Sequence, residues 1–384
     1  MASLTESQQG WLRERFGGRV RFDPIERKIY SHDVGEVPGL IKPLLGRALA
    51  DAVVQPKDEA ELAELARWAA REGVPLVPRA KGTSGYGGVI PVKGGVTLDT
   101  RRFQGVVAVD RHTLTATVRA ATVWADLESA LAKEGLALRV YPSSAPSSTV
   151  AGWLAQGGVG YGCYQHGPFL QSVVSARLVL PNGEVRDMAG DELLMVSEAL
   201  GTTGVISEVT VRVRPLEAEA LWAFRFSSAQ ALAAALRAVD QAGLPLWSVS
   251  FINPHMARLK NQLPPRLVHG HPVEEHRPTL PEAYIAVFVA GEGRQAEVEA
   301  ALPVLASEAG GVLLDEEIAH HEWEERFNLL HVKRLGPSLV PAEVVVPLSG
   351  LAATLEGVDS AVRLPFVMEG MVSAGAAERQ VTLL

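Results

Sequence analysis

The sequence predicts an α+β protein of two domains, on three observations. Its 384 residues exceed one typical domain of ~100–200 residues. A β-α-β start gives way to strand-rich text broken by three glycine clusters. Past Pro215 the pattern changes to strands alternating with amphipathic helices. Hydrophobic residues make up 47% and charged residues 21%, as in ordinary globular chains. A net charge of −8 without a basic stripe argues against nucleic acid as a partner. No apolar run reaches the ~18 residues of a membrane span. The opening "MASLTESQQGWLRERFGG" lacks the apolar core of a signal peptide, so cytoplasmic residence is expected. Cys163 is the single cysteine, so no disulfide framework or cysteine-ligated cluster can form within the chain.

Residues 1–48 form an N-terminal segment, and the first domain runs over 49–215. Residues 50–55 are a short strand closed by Pro56. Asp58 and Glu61 make a D-x-x-E capping box ahead of Leu62, Leu65 and Ala69 at helical spacing. Gly73 stops that helix and residues 74–78 are the next strand. The first glycine cluster, "RAKGTSGYGG" (79–88), therefore ends a β-α-β unit. Strands follow at 96–99, 106–110 and 114–120, then a helix at 123–135 with Leu127 and Leu131 on one face. The second glycine zone is "YPSSAPSSTVAGWLAQGGVGYGCYQHGPF" (141–169). Pro181-Asn-Gly183 turns a hairpin between strands 173–180 and 184–187. The third cluster, Gly201-Thr-Thr-Gly204, feeds the alternating strand 205–213. Pro215 and the run 217–219 mark the boundary to a second domain over 216–384. There "LWAFRF", "WSVSFI", "AYIAVFVAG" and "AEVVVPL" are strands, and 229–243 and 294–310 are helices, in ferredoxin-like alternation. The Pro- and His-rich stretch 260–280 reads as an exposed loop.

Glycine clusters weaken regular structure and mark a tight turn or close backbone approach. A dinucleotide-binding G-x-G-x-x-G must open a helix, whereas 82–88 leads into Val89-Ile-Pro91. A P-loop needs G-K-[ST], and Lys81-Gly82-Thr83 inverts that order. Taken alone, 79–88 is either a structural turn or a nest of N–H groups around a diphosphate. In the second case Arg79 and Lys81 would add positive charge.

In order and spacing the three clusters resemble the flavin-binding domain of the vanillyl-alcohol oxidase (PCMH-type) superfamily. More narrowly they resemble its glycolate oxidase and D-lactate dehydrogenase branch. The resemblance is strong over about residues 30–215 and looser through 384. It implies a PCMH-type FAD-binding domain of two α/β subdomains followed by a ferredoxin-like α+β cap domain. By position, the loop on the FAD diphosphate would be Pro78, Arg79, Ala80, Lys81, Gly82, Thr83, Ser84, Gly85 and Tyr86. The zone lining the flavin and ribityl chain would be Pro142, Ser143, Ser144, Pro146, Thr149, Val150, Gly152, Trp153, Gly157, Gly158, Gly160 and Tyr161. Gly204, Val205 and Ile206 would lie near the adenosine. Relatives with histidine-tethered FAD carry the histidine where this chain has Thr83, and Cys163 lies past the place used by cysteinyl relatives. Dissociable, non-covalent FAD is expected, with Cys163 a buried structural thiol.

The branch acts on 2-hydroxy acids, passing hydride from the substrate carbon to flavin N5. A small anionic substrate needs a guanidinium or ammonium partner. The stretch "HHEWEERFNLLHVKRLGPSLVPAEVVVP" (320–347) is similar to the family's W-x-x-R helix, which singles out Arg326, with Lys333 and Arg334 nearby. Two departures stand out. Met371 replaces the first histidine of the family's G-H-x-G-D-G-N-x-H motif, so no metal site is expected and the usual proton acceptor is missing. His320, His321 and Glu322 do not make H-E-x-x-H, because Glu325 stands where the second histidine belongs. The wording closest to this chain also accompanies cysteine-rich iron–sulfur modules, which implies an iron–sulfur or quinone-linked electron acceptor. The alternative function is a flavin-carrying electron-relay subunit with no substrate site of its own.

Overall fold

The computed structural model describes residues 3–35, 48–265, 267–268, 271–272, 276–336, 342–363 and 366–384. The chain divides into two units. One comprises Met1–Arg139, Ser144–Gly158 and Leu170–Pro215; the other comprises Val140–Ser143, Val159–Phe169 and Leu216–Leu384.

The first unit holds two sheets. In the smaller, Val20–Arg21 runs antiparallel to Ala52–Val54, which is parallel to Val96–Asp99, itself parallel to Leu76–Arg79. The helix Glu59–Glu72 makes the crossover and buries Leu62, Leu65 and Ala69. Its N-cap is Asp58, whose carboxylate accepts the Glu61 N–H at 2.9 Å. Only this half of the expected capping box forms. The Glu61 side chain accepts the Lys57 N–H (3.0 Å) and grips Arg19 instead. Glu6–Phe16 belongs to this unit too, with Trp11 stacked on Trp68 at 4.6 Å. The larger sheet has the spatial order Val106–Asp110, Thr115–Arg119, Val205–Pro215, Val173–Val179, Val185–Ala189. Leu136–Leu138 extends it beside the end of the 205–215 strand. The hairpin at Asn182 forms as expected, with the Gly183 N–H on the Leu180 carbonyl at 2.8 Å.

The second unit is a seven-stranded antiparallel sheet. Its order is Val312–Leu313, Glu219–Phe226, Tyr284–Gly291, Ser248–Ile252, Glu369–Ser373, Gln380–Leu383, Val344–Pro347. The helices Ala229–Gln241, Gln295–Glu308 and Leu351–Ala361 build the core on one face. Side chains alternate along a strand. Thus Ala286 and Phe288 join that core while Ile285 and Val287 line a pocket on the other face. The same alternation puts Met368 and Val372 in the core and Glu369 in the pocket.

The stretch 260–280 is not simply a loop. It starts inside the helix Pro254–Asn261, whose cap Asn253 accepts the Met256 N–H at 2.9 Å. Asn261 exchanges two 2.9 Å hydrogen bonds with the main chain of the buried Leu280, and Leu267–Val268 pairs with His271–Pro272. Burial of the Lys260 end of the stretch explains the departure from an exposed loop: Lys260 sits against Glu322, not in solvent.

Candidate functional site

In the first unit the strand Leu76–Arg79 delivers the first glycine cluster. Gly82 has φ +64°, a conformation that favours glycine, and a Cβ there would lie 2.5 Å from the Arg79 guanidinium. That guanidinium donates to the His32 carbonyl and sits 5.4 Å over the Tyr30 ring. Residues 33–35 lie along the cluster. The Val34 N–H donates to the Ser84 carbonyl (3.2 Å), and the Gly87 N–H donates to Asp33 Oδ2 (2.7 Å). A Cβ on Gly35 would stand 2.3 Å from the Gly85 carbonyl, so the two backbones meet directly. The N–H groups of Gly82, Thr83 and Gly85 donate to no described residue. Successive open N–H groups form a concavity suited to phosphate. Pro78 packs against Gly201 of the third cluster, Lys81 and Tyr86 are exposed, and Ala80 is half-buried. Val205 and Ile206 are buried strand residues, and Gly204 passes so near Val179 that a Cβ would lie 2.8 Å from its carbonyl.

The second zone is shared between the units. Ser144, Pro146, Thr149, Val150, Gly152, Trp153, Gly157 and Gly158 belong to the first; Pro142, Ser143, Gly160 and Tyr161 belong to the second. Ser144 turns the chain by accepting the N–H groups of Ser147 and Ser148. Thr149 caps the short helix Val150–Gln156 through the Gly152 N–H, and Trp153 packs edge-on to Trp124 at 5.5 Å. The buried Ser148 hydroxyl has no partner among the described residues. Open N–H groups on the first cluster and this unpaired hydroxyl both fit an FAD held along these segments. In the second unit Gly160 is required because a Cβ would lie 2.2 Å from the Tyr141 carbonyl, in the bridge that pairs Tyr141 with Tyr161. Cys163 is fully buried, and its sulfur accepts the Gly160 N–H at 3.2 Å. Burial pushes its thiol up to about 12.

The second unit also encloses a pocket containing Arg326, Lys260, Glu322, Trp323, Tyr161 and Glu369. The helix Glu316–Glu324 positions Trp323, whose indole donates to Glu219 at 2.8 Å. The 3-10 turn Glu325–Phe327 then presents Arg326. Its guanidinium lies 4.2 Å from the Trp323 ring centre and 4.3 Å from that of Phe327, and it donates to Tyr141 Oη at 3.2 Å. No carboxylate lies within salt-bridge distance of it among the described residues. Lys260 Nζ, by contrast, takes both Glu322 oxygens at 2.7 and 2.6 Å. The Tyr161 hydroxyl meets the Arg326 carbonyl at 3.0 Å and Glu369 Oε1 at 2.9 Å. Burial pushes the Glu369 carboxyl up to about 7, against the Tyr161 hydrogen bond and the Lys260 charge, which pull it down. Tyr161 itself is held well above the phenol range by burial and by Glu369.

The three residues expected to meet the substrate are not brought together. Arg334 donates to the Pro265 carbonyl at 2.6 Å and faces a separate recess with His276, His321 and His331. Lys333 is half-buried on the same 3-10 segment, Leu329–Leu335, and does not line the Arg326 pocket. Arg326 lies on the turn Glu325–Phe327, which Asn328 separates from the 3-10 segment Leu329–Leu335 that carries Lys333 and Arg334. Sequence reasoning passed over Glu369, Glu322 and Lys260. The faint signal for Glu369 was a lone acid in the apolar text "FVMEGMVS", a pattern that marks a charge buried for a reason. Among the described residues no cluster of His, Cys, Asp and Glu could hold a metal ion, and no helix is long and apolar enough to cross a membrane.

Residues 50–189 match the FAD binding domain family, and residues 215–366 match the C-terminal domain of FAD linked oxidases. The glycolate oxidase subunit GlcD of Bacillus subtilis is 30% identical over 179 residues, 44% of this chain and 38% of that one. The mitochondrial D-lactate dehydrogenase [cytochrome] 1 of Saccharomyces cerevisiae is 28% identical over 224 residues, 54% of this chain and 38% of that one. Alkyldihydroxyacetonephosphate synthase of Dictyostelium discoideum is 31% identical over 175 residues, 42% of this chain and 28% of that one. The matches thus span well under two thirds of these relatives. Among solved structures, an alkyldihydroxyacetonephosphate synthase has a TM-score of 0.78 at 19% identity, covering 100% of this chain and 81% of that one. A p-cresol methylhydroxylase has a TM-score of 0.75 at 15% identity, covering 99% and 83%. With both domains matched and FAD as its cofactor, the chain belongs to the PCMH-type FAD-linked oxidoreductases, in the branch of glycolate oxidase and D-lactate dehydrogenase.

Proposed function

We propose that this chain is a dehydrogenase for a 2-hydroxy acid or similar small carboxylic acid, whose carboxylate is paired by Arg326. The observation that carries this reading is the half-buried guanidinium between Trp323 and Phe327, with no carboxylate partner among the described residues. A buried charge is costly unless paired, so a site holding one in reserve is suited to an incoming anion. Bound FAD would supply the acceptor for the hydride of the substrate carbon. The loop 78–86 would hold its diphosphate, and Thr83 in place of a tethering histidine supports non-covalent attachment. Acid precipitation is then expected to release the yellow chromophore into the supernatant. Electrons would pass on to an iron–sulfur or quinone-linked partner, a role for which the subunit status of GlcD offers a parallel.

The test is anaerobic bleaching of the flavin by a panel of 2-hydroxy acids. A charge-assisted hydrogen bond contributes about 1.5–3 kcal/mol, so Arg326→Ala should slow reduction roughly 10–150-fold with FAD content unchanged. Arg326→Lys should restore only part, lacking the fork geometry. Equal rates would remove Arg326 from the site. The relay reading draws on Met371, buried in its strand where the family carries a histidine. It requires that no acid in the panel bleach the flavin.

A further inference from the structure

We propose that Glu369 Oε2 accepts the hydroxyl of the anion held at Arg326, so that the pocket prefers a 2-hydroxy acid and admits the 2-oxo acid only together with a proton. This rests on the anion-site reading of the same pocket. Three carboxylates line that pocket, and one has both oxygens engaged. Glu322 gives both oxygens to Lys260, and Glu325 lies 3.9 Å from His331. Glu369 is 6% exposed; one oxygen meets Tyr161, and the other is buried with no partner among the described residues. Its neighbours across the sheet, Ile252 and Leu384, carry no titratable side chain. The charged and titratable groups that line the pocket with it are Tyr161, Lys260, Glu322, Glu325 and Arg326.

The Tyr161 contacts explain how the site handles a proton. One hydroxyl has one hydrogen, yet Tyr161 Oη is within bonding distance of two acceptors, the Arg326 carbonyl and Glu369 Oε1. If Tyr161 donates to Arg326, the Glu369 contact must be a carboxylic acid donating to Tyr161. If Tyr161 donates to Glu369 Oε1, the carboxyl is either ionised or protonated on Oε2, where it can donate to a ligand. These arrangements use the same heavy atoms, so Glu369 can take up a proton from solvent or ligand, or release it there, without repacking. A hydroxyl can donate to Oε2 in either state. A ligand carbonyl oxygen there would face another acceptor, which is unfavourable unless Glu369 supplies a hydrogen. With Lys260 matched by Glu322, Arg326 is the cation that faces the incoming carboxylate.

The test uses oxidised holoprotein and ligands that cannot react. These are 2-hydroxy-2-methylpropanoate, which lacks the transferable hydrogen, 2-methylpropanoate, and pyruvate. Calorimetric titration of the wild type should show the hydroxy acid binding at least about tenfold more tightly than its unsubstituted partner. Pyruvate affinity should rise about tenfold from pH 8 to pH 6, as Glu369 takes up its proton. Glu369→Gln, whose amide can donate, should bind pyruvate with no pH dependence, and Glu369→Leu should lose the preference for the hydroxyl. Equal binding of the two methylpropanoates, with pH-independent pyruvate binding still sensitive to Arg326→Ala, would overturn this proposal and leave the anion site standing. If no anion binds and no hydroxy acid bleaches the flavin, both fall.

Discussion

Two glutamates, one in each unit, are almost equally buried and behave in opposite ways. Glu61 is 2% exposed and Glu369 is 6% exposed. Glu61 is gripped by both Arg19 nitrogens and accepts the Lys57 N–H, with Lys57 Nζ 3.3 Å away. Burial alone would raise its carboxyl; these partners outweigh burial and hold it at about 2. Glu369 has a phenol on one oxygen and nothing described on the other, and burial wins, at about 7. The difference lies in partners and also in depth, since Glu61 is covered near the surface whereas Glu369 lies deep. A saturated acid ties the helix Glu59–Glu72 to the N-terminal segment, whereas a half-paired acid keeps capacity for a ligand.

The contrast is broken most severely by removing the Glu61 carboxylate. Glu61→Gln leaves Arg19 without its charge partner and should lower unfolding free energy by about 3 kcal/mol in urea titration at pH 7. In the wild type this contribution is full above the ordinary 4.5 and disappears as pH falls towards about 2. Glu369→Gln should act with the reverse sign. A carboxyl raised from 4.5 to about 7 makes folding less favourable as pH climbs through that window. The variant should gain about 1–3 kcal/mol over wild type at pH 8 and nothing below pH ~4.5. A loss at pH 8 would mean that the ionised carboxylate is well paired after all.

Smaller effects sharpen the comparison of a backbone-built site with a side-chain-built one. Gly35→Val places a side chain against the Gly85 carbonyl and should cost about 1 kcal/mol of stability. It should also lower FAD retained on dialysis while leaving the Arg326 pocket's anion affinity unchanged. The least change is expected at Cys163. With its thiol near 12 and fully buried, it should react with a thiol reagent at pH 8 only after denaturant is added.

These two kinds of site also differ in what a reader of the sequence can find. The first cluster, as proposed, would hold a phosphate through its main chain, and main-chain sites leave glycines close together in sequence, here Gly82, Gly85 and Gly87. The hairpin at Gly183 and the helix starting after Asp58 were legible for the same local reason. The second pocket joins Tyr161 to Glu369 and Lys260 to Glu322, pairs 208 and 62 residues apart. No local rule links such residues. Lys260 was hidden further by the prolines and histidines that follow it, which suggest a loop. For Lys333 and Arg334, closeness to Arg326 along the chain does not become shared lining of its pocket.

Glu369, as proposed, is a buried acid that keeps its proton to near neutrality, and infrared difference spectroscopy reads that group directly. Spectra of wild type minus Glu369→Gln, taken from pH 4 to 9, isolate the carboxylic C=O stretch of this one side chain. The account predicts a protonated carboxyl at pH 5 whose band is lost with a midpoint of about 7. A residue already ionised at pH 5, titrating near the ordinary 4.5, would contradict it.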